Sequence, residues 1–230
     1  MERILLTGAS RGIGRAVALR LAKAGRELLL HGRDHPSLEE SARLVQQRGG
    51  QARVYVADLA NAAEVEALAA AAGGEPLAAL VHNAGLAVVK PALELTLEEW
   101  QRSLAVNVTA PFLLSRRLAP AMPPGGVIVH VLSVAARQGF PGWAAYCTAK
   151  FALEGFSQCL REELRPVGVR VVNVYPSATA TELWDGVAGS WPRERMLAPE
   201  EVAEAVAFAL ERPGEVLVPE IFIGHVAGTL

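Results

Sequence analysis

The run Thr7-Gly8-Ala9-Ser10-Arg11-Gly12-Ile13-Gly14 decides how the rest of the chain is read. It follows an apolar segment at 3–7 and opens a helical pattern at 12–24. Glycine lets the backbone turn sharply and approach a ligand closely. A helix starting at such a turn offers free N–H groups and the positive end of its dipole to a pyrophosphate. The spacing is Gly-x-x-x-Gly-x-Gly, not the Gly-x-Gly-x-x-Gly of other dinucleotide sites. Many Gly-rich turns serve packing alone; the position between a first strand and a first helix is what marks this one as a phosphate loop. Gly8, Ser10, Arg11, Gly12, Ile13 and Gly14 are its candidate cofactor contacts.

Outward from that loop, apolar runs alternate with helical patterns to the end of the chain. Strands are expected at 3–7, 27–31, 52–57, 78–82, 127–132, 170–175 and 215–223, and helices at 12–24, 37–48, 62–71, 96–120, 143–165 and 199–211. Leu28-Leu29-Leu30 and Val127-Ile128-Val129 are apolar on both faces, as in parallel strands sandwiched between helices. Ser37 and Thr96 each stand three residues before a Glu, the spacing of a capping box. Gly25 and Gly49-Gly50 sit where helices stop. Strict alternation implies βαβ crossovers, hence an α/β fold built on one doubly wound parallel sheet of about seven strands with helices on both faces. No repeat or linker interrupts it, so residues 1–230 read as one domain. The stretch 181–198 has weak periodicity and carries Trp184 and Trp191; at the mouth of an α/β sheet it reads as a short substrate lid.

At 230 residues with 51% hydrophobic content and a net charge of -2, the chain describes a globular protein with no global pull toward nucleic acid or an anionic membrane. It shows no basic leader and no run of about 20 apolar residues, which reads as cytoplasmic. Cys147 and Cys159 are too few for a disulfide framework and lack metal-ligand company, so no metal site is expected.

The chemistry is carried by Tyr146-Cys147-Thr148-Ala149-Lys150. On a helix, residues four apart share a face. A phenol titrates near ~10, and bringing it to ~7 takes about 4 kcal/mol from a fixed cation in a partly dry cleft. The chain holds three Tyr, and its Lys are Lys23, Lys90 and Lys150 alone, so roughly 0.04 such pairs are expected by chance.

The cofactor type is read after the second strand, where an acidic residue commonly binds the ribose diol of NAD. Here Leu28-Leu29-Leu30 runs into His31-Gly32-Arg33-Asp34. Gly32 stands in the place of the carboxylate. Arg11 and Arg33 can grip a 2′-phosphate with charge-assisted hydrogen bonds of roughly 1.5–3 kcal/mol each, which favours NADP(H) over NAD(H). The alternative leaves both Arg as solvated charges and gives the diol to Asp34.

Together these residues resemble the short-chain dehydrogenase/reductase family over nearly the whole chain. The glycine motif matches Gly8, Gly12 and Gly14 with Thr7 before them. Asp58, with Leu59 after it, matches the family's adenine-contacting Asp, and Asn83-Ala84-Gly85 its Asn-Ala-Gly. Asn107 and Ser133 match the active-site Asn and Ser, and Tyr146 with Lys150 the Tyr-x-x-x-Lys. The chain departs from the family at His82, commonly Asn, and at Pro176-Ser177, commonly Pro-Gly. Thr181 falls at the place of the Thr that contacts the nicotinamide amide.

The resemblance implies a Rossmann-type fold and an NADP(H)-dependent oxidoreductase moving a hydride between nicotinamide and a carbonyl or alcohol. Tyr146 would be proton donor or acceptor, and Ser133 would orient the substrate oxygen. Lys150 would lower the tyrosine pKa and bind the nicotinamide ribose, and Asn107 would hold a relay water. It also implies a homodimer or homotetramer built through the helices at 96–120 and 143–165, where Phe112, Phe151 and Phe156 suit either an interface or the core. A 3-oxoacyl thioester reductase, with Arg137, Arg193 and Arg195 near the mouth, a non-catalytic dinucleotide sensor, and epimerisation or dehydration on the same scaffold stay open. Structural roles are expected for His82 and His130. Asp58 doubles as a possible helix cap for 59–71. Trp143, Phe140 and Trp184 either line a substrate pocket or pack the cleft walls.

Overall fold

The computed structural model describes residues 1–187 and 191–228. Seven parallel strands form one sheet: β1 (Glu2–Thr7), β2 (Arg26–Gly32), β3 (Gln51–Val56), β4 (Ala79–His82), β5 (Val127–Val131), β6 (Arg170–Pro176) and β7 (Glu220–Ile223). Their order is β3-β2-β1-β4-β5-β6-β7, with β1 between β2 and β4 where the winding reverses. A crevice therefore opens above the carboxyl ends of β1 and β4, the usual ligand position in such sheets.

The strands alternate their side chains between two cores, as a period of two requires. Ile4, Leu6, Leu28 and Leu30 pack on the face covered by helices α1 (Gly12–Leu21), α2 (His35–Gln47) and α7 (Pro199–Leu210). Leu5, Leu29, Leu80 and Ile128 pack on the other face, against α3 (Ala62–Ala72), α5 (Ala110–Leu118) and α6 (Ala144–Leu164). At the heart of the second layer His82 stacks on His130 at 5.0 Å, and His82 Nε2 lies 2.9 Å from the Ser115 hydroxyl. Burial depresses both imidazoles, His130 to about 3, so both are neutral structural groups.

Four local expectations are corrected. Helix α2 begins at His35, not Ser37: the Asp34 carboxylate accepts the Ser37 N–H at 2.8 Å, and Pro36 sits in the first turn, where its missing N–H costs nothing. Helix α3 is capped by Asn61, not Asp58. The helix expected at 96–120 is α4 (Leu97–Leu104), a π-helical turn (Ala105–Thr109) and α5 in succession, followed by a 3₁₀ turn (Ala119–Ala121). The capping box at Thr96 and Glu99 is present. Strand β7 pairs only from Glu220, five residues later than expected. Among the described residues no helix is long and apolar enough to cross a membrane.

Candidate active site

Two backbone turns at the crevice are locked together by β1 and β4. The Thr7 hydroxyl accepts the N–H groups of Asn83 and Ala84 at 3.0 and 3.1 Å, and the Asn83 amide donates to the carbonyls of Thr7 and Gly8 at 3.0 and 3.1 Å. Gly8 adopts a left-handed φ of 69°, and a Cβ there would meet Ala84 Cα at 2.8 Å. At Gly14 a Cβ would lie 2.0 Å from the Gly8 carbonyl oxygen. Only glycine fits either place, and the N-terminus of α1 is thereby held open toward the crevice.

The cleft measures about 1150 Å³ and runs from this loop to Tyr146. That exceeds the roughly 300–1,000 Å³ of a site for one drug-sized ligand. Its walls include Gly8, Ser10, Arg11, Gly12, Ile13, Gly14, Arg33, Asp58, Leu59, Asn83, Ala84, Gly85, Pro176 and Thr181, so every candidate cofactor contact read from the sequence is brought together. At the end of β2, a Cβ on Gly32 would lie 3.2 Å from Leu38 Cδ2 and 3.4 Å from Ser10 Cβ. A side chain there would press on Leu38 and Ser10, and Gly32 itself brings no carboxylate to the cleft. Asp34 is engaged as the cap of α2, and its hydrogen bonds from Ser37, with Arg11 adding a smaller pull, hold its carboxyl below the ordinary range. Asp58 accepts from Ala60 N–H and from Arg102.

At the other end, Tyr146 and Lys150 stand in the first turns of α6, and Ser133 follows β5. Lys150, 3% exposed, donates to the Val131 carbonyl at 2.9 Å, with its Nζ 5.5 Å from the Tyr146 ring centroid. Burial drives Lys150 down to about 8 and Tyr146 up to about 12, with the Ser133 hydroxyl beside the phenol pulling the other way. A phenol near ~7 is thus not what these side chains set by themselves; loss of water outweighs the Ser133 hydrogen bond. Asn107, in the π-turn, stands behind the cleft wall. Its amide donates to the carbonyls of Leu86 and Ser103 at 2.8 and 2.9 Å, and its oxygen accepts Leu86 N–H at 3.2 Å. A Cβ on Gly85 would lie 3.3 Å from that oxygen and 4.0 Å from Lys150 Nζ, so both polar atoms face one gap.

Trp143, Phe140 and Trp184 line the cleft, and so do Leu86, Leu183 and Trp191. Of these, Leu86 and Leu183 carried no signal in the sequence beyond being apolar. The segment expected as a lid contains 3₁₀ turns at Glu182–Gly186 and Arg193–Arg195; its residues 188–190 lie outside the described residues. The three Arg considered for a carrier-bound substrate each contact other residues of the protein. Arg137 binds Glu154, Glu220 and the Tyr175 hydroxyl, Arg193 binds Asp185 and the Thr181 carbonyl, and Arg195 the Ala227 carbonyl.

Residues 2–189 match the family model described as short chain dehydrogenase. The D-threitol dehydrogenase of Mycolicibacterium smegmatis is 35% identical over 217 residues, covering 89% of this chain and 84% of the relative. An alcohol dehydrogenase from the archaeon Thermococcus sibiricus, solved with 5-hydroxy-NADP, superposes with a TM-score of 0.90 at 29% identity over 100% of this chain and 99% of that one. The angucycline C-6 ketoreductase LanV, solved with NADP, gives 0.86 at 30% identity, covering 96% and 93%.

Proposed function

The chain belongs to the short-chain dehydrogenase family, and from that premise we propose that it is an NADP(H)-dependent oxidoreductase interconverting a small-molecule carbonyl and its alcohol. The observation that carries the reading is one cleft with a glycine-built phosphate loop at one end and Ser133, Tyr146 and Lys150 at the other. Arg11 and Arg33 hold the 2′-phosphate, and Gly32 supplies no carboxylate for the diol of an NAD ribose. The NADP-bound relatives support the same choice. The glycine loop and the α1 N-terminus take the pyrophosphate, Asp58 and Leu59 the adenine, Asn83 to Gly85 with Pro176 and Thr181 the nicotinamide half, and Lys150 its ribose. A nicotinamide dinucleotide bound there supplies or accepts the hydride.

The side chains of this protein handle the proton. As negative charge grows on the substrate oxygen, Tyr146 donates its proton and Ser133 donates a hydrogen bond. A phenol at about 12 is neutral at pH 7 and arrives already in its donor form. Lys150 stabilises the phenolate left behind. Asn107 is a positioning residue that fixes the 83–86 loop, and its oxygen and the Lys150 ammonium both lie beside Gly85, where a relay water would join them. In the oxidative direction Tyr146 is the base.

Arg137 is spent on Glu154 and Glu220, whereas Arg193 and Arg195 sit in exposed contacts that leave their charge at the mouth, so a 3-oxoacyl thioester is the alternative substrate. Exposed Phe112 (41%) and Phe151 (46%), on α5 and α6, support a homodimer or homotetramer through those helices, to be checked by light scattering. The free Cys147 and Cys159 suit a cytoplasmic setting. The test is nicotinamide absorbance with NADPH or NADH and a panel of ketones, diketones, quinones, sugars and 3-oxoacyl thioesters, with Tyr146→Phe as blank. Turnover preferring NADPH and absent from the blank is expected. NADPH binding without turnover across the panel would favour a dinucleotide sensor.

A further inference from the structure

Three of the four Trp of this chain, Trp143, Trp184 and Trp191, converge on the reacting end of the cleft. Trp143 lies 5.6 Å from both the Tyr146 ring and the Trp184 ring, and Trp184 lies 4.6 Å from Trp191. We propose that this corner of indoles selects flat, uncharged aryl ketones and the corresponding aryl carbinols as substrates. The inference rests on the reductase reading for its chemistry; its binding preference can be measured without turnover.

The rings are held rather than loose. The Trp184 indole N–H donates to the Thr179 carbonyl at 2.8 Å, and that of Trp191 to the Val187 carbonyl at 3.2 Å. With those two polar edges engaged, Trp184 and Trp191 have only carbon surface left to offer the cleft. The three rings make mutual angles of 59°, 85° and 45°, so they form a corner and not a closed stack. A flat π-system entering a corner meets one face and another ring's edge, the offset and edge-to-face contacts that aromatic quadrupoles favour. A saturated ring of the same size gains burial alone. Each aromatic pair adds roughly two- to tenfold in affinity.

The charges nearby disfavour anionic substrates. Phe140, Leu86 and Leu183 complete the apolar lining. Arg193 is paired with Asp185. Glu182 leans toward the phosphate loop, its carboxylate 3.4 Å from where a Cβ on Gly12 would lie. Lys150 is 3% exposed, bonded to the Val131 carbonyl and placed against the Tyr146 ring, where it serves the phenol and not the Trp corner. Among the described residues at this end, no free cation faces the Trp corner to receive a carboxylate or phosphate, which would lose its water uncompensated. The reduction is balanced: the carbonyl π bond breaks, the carbon gains a hydride from NADPH, which becomes NADP⁺, and the oxygen gains the Tyr146 proton.

The test uses 1-tetralone and its saturated counterpart 1-decalone, titrated into the full-length protein with and without NADP⁺, a mixture that cannot turn over. Tryptophan quenching and calorimetry report binding. Acetoacetyl-coenzyme A and 3-acetyl-N-methylpyridinium serve as anionic and cationic probes. Tetralone is expected to bind at least about fivefold tighter than decalone and tighter than both charged probes. That ratio is expected to fall to within about twofold in Trp184→Leu/Trp191→Leu. If the double variant does not fold, Trp191→Leu alone should at least halve it. Equal binding, no binding, tighter binding of decalone or a charged probe, or a preference surviving the substitutions would overturn the inference. Selective tetralone binding with no NADPH oxidation would leave it standing and sink the reductase reading; equal turnover of both ketones with no binding preference would do the reverse.

Discussion

Lys150 stands under Tyr146, its Nζ 5.5 Å from the phenol ring centroid, and is tied to the Val131 carbonyl two residues before Ser133. One hydrogen bond from the helix to the end of β5 thus sets the spacing of all three groups. It also places an ammonium where water is scarce, with consequences for stability, for pH dependence and for the cost of substitution.

The cation is a liability to the fold. Burial lowers Lys150 from 10.5 to about 8, a difference of about 3 kcal/mol at about 1.36 kcal/mol per unit. The sign follows from the direction: a base with a depressed folded pKa destabilises fully below about 8, and the penalty fades as pH rises toward 10.5. Lys150→Met removes that penalty but leaves the Val131 carbonyl unpaired, at about 1–3 kcal/mol. Urea unfolding at pH 7 should show stability unchanged or higher, alongside loss of most activity. A loss above about 2 kcal/mol would contradict this.

The two reaction directions should answer oppositely to pH. The neutral phenol that reduction needs is fully populated from pH 6 to 9, because Tyr146 titrates at about 12. The kcat/KM for NADPH, which reports the free enzyme, should therefore be flat until Lys150 loses its charge above about 8, and then decline. Oxidation needs the phenolate, so its kcat/KM should rise throughout the same range. Parallel profiles in the two directions would exclude Tyr146 as the shared acid and base.

Cofactor choice is expected to reside in two side chains. Arg33→Ala and Arg11→Ala should each raise the NADPH Kd at least about tenfold, the lower bound for a charge-assisted hydrogen bond, and change the NADH Kd less than about twofold. Equal losses for both cofactors would mean the guanidiniums serve the loop and not a 2′-phosphate.

Much of this was legible in the residues. Leu28-Leu29-Leu30 and Val127-Ile128-Val129 are apolar on both faces because helices cover both, and the glycine loop follows β1 as its spacing implies. The failures have local causes. Asp34 with Pro36 outcompeted Ser37 for the start of α2, since a carboxylate one residue ahead of the helix caps at least as well as a hydroxyl. The π-turn around Asn107 leaves no trace in hydrophobic periodicity, because one turn with an extra residue hardly shifts the pattern. Strand β7 starts late because the residues before Pro219 make no ladder with β6. The Tyr146 pKa and the Trp corner are properties of burial and convergence, which spacing along a chain does not encode.

The most direct measurement is the single-turnover rate of NADPH oxidation by Tyr146→Phe beside the unaltered protein, with the NADPH Kd of each. A proton donor of this kind contributes about 10²–10⁴-fold. The variant should be slower by that factor with its Kd within about twofold. A variant that turns over as fast as the unaltered protein would contradict the assignment of Tyr146 as the acid and, with it, the proton chemistry assigned to the cleft.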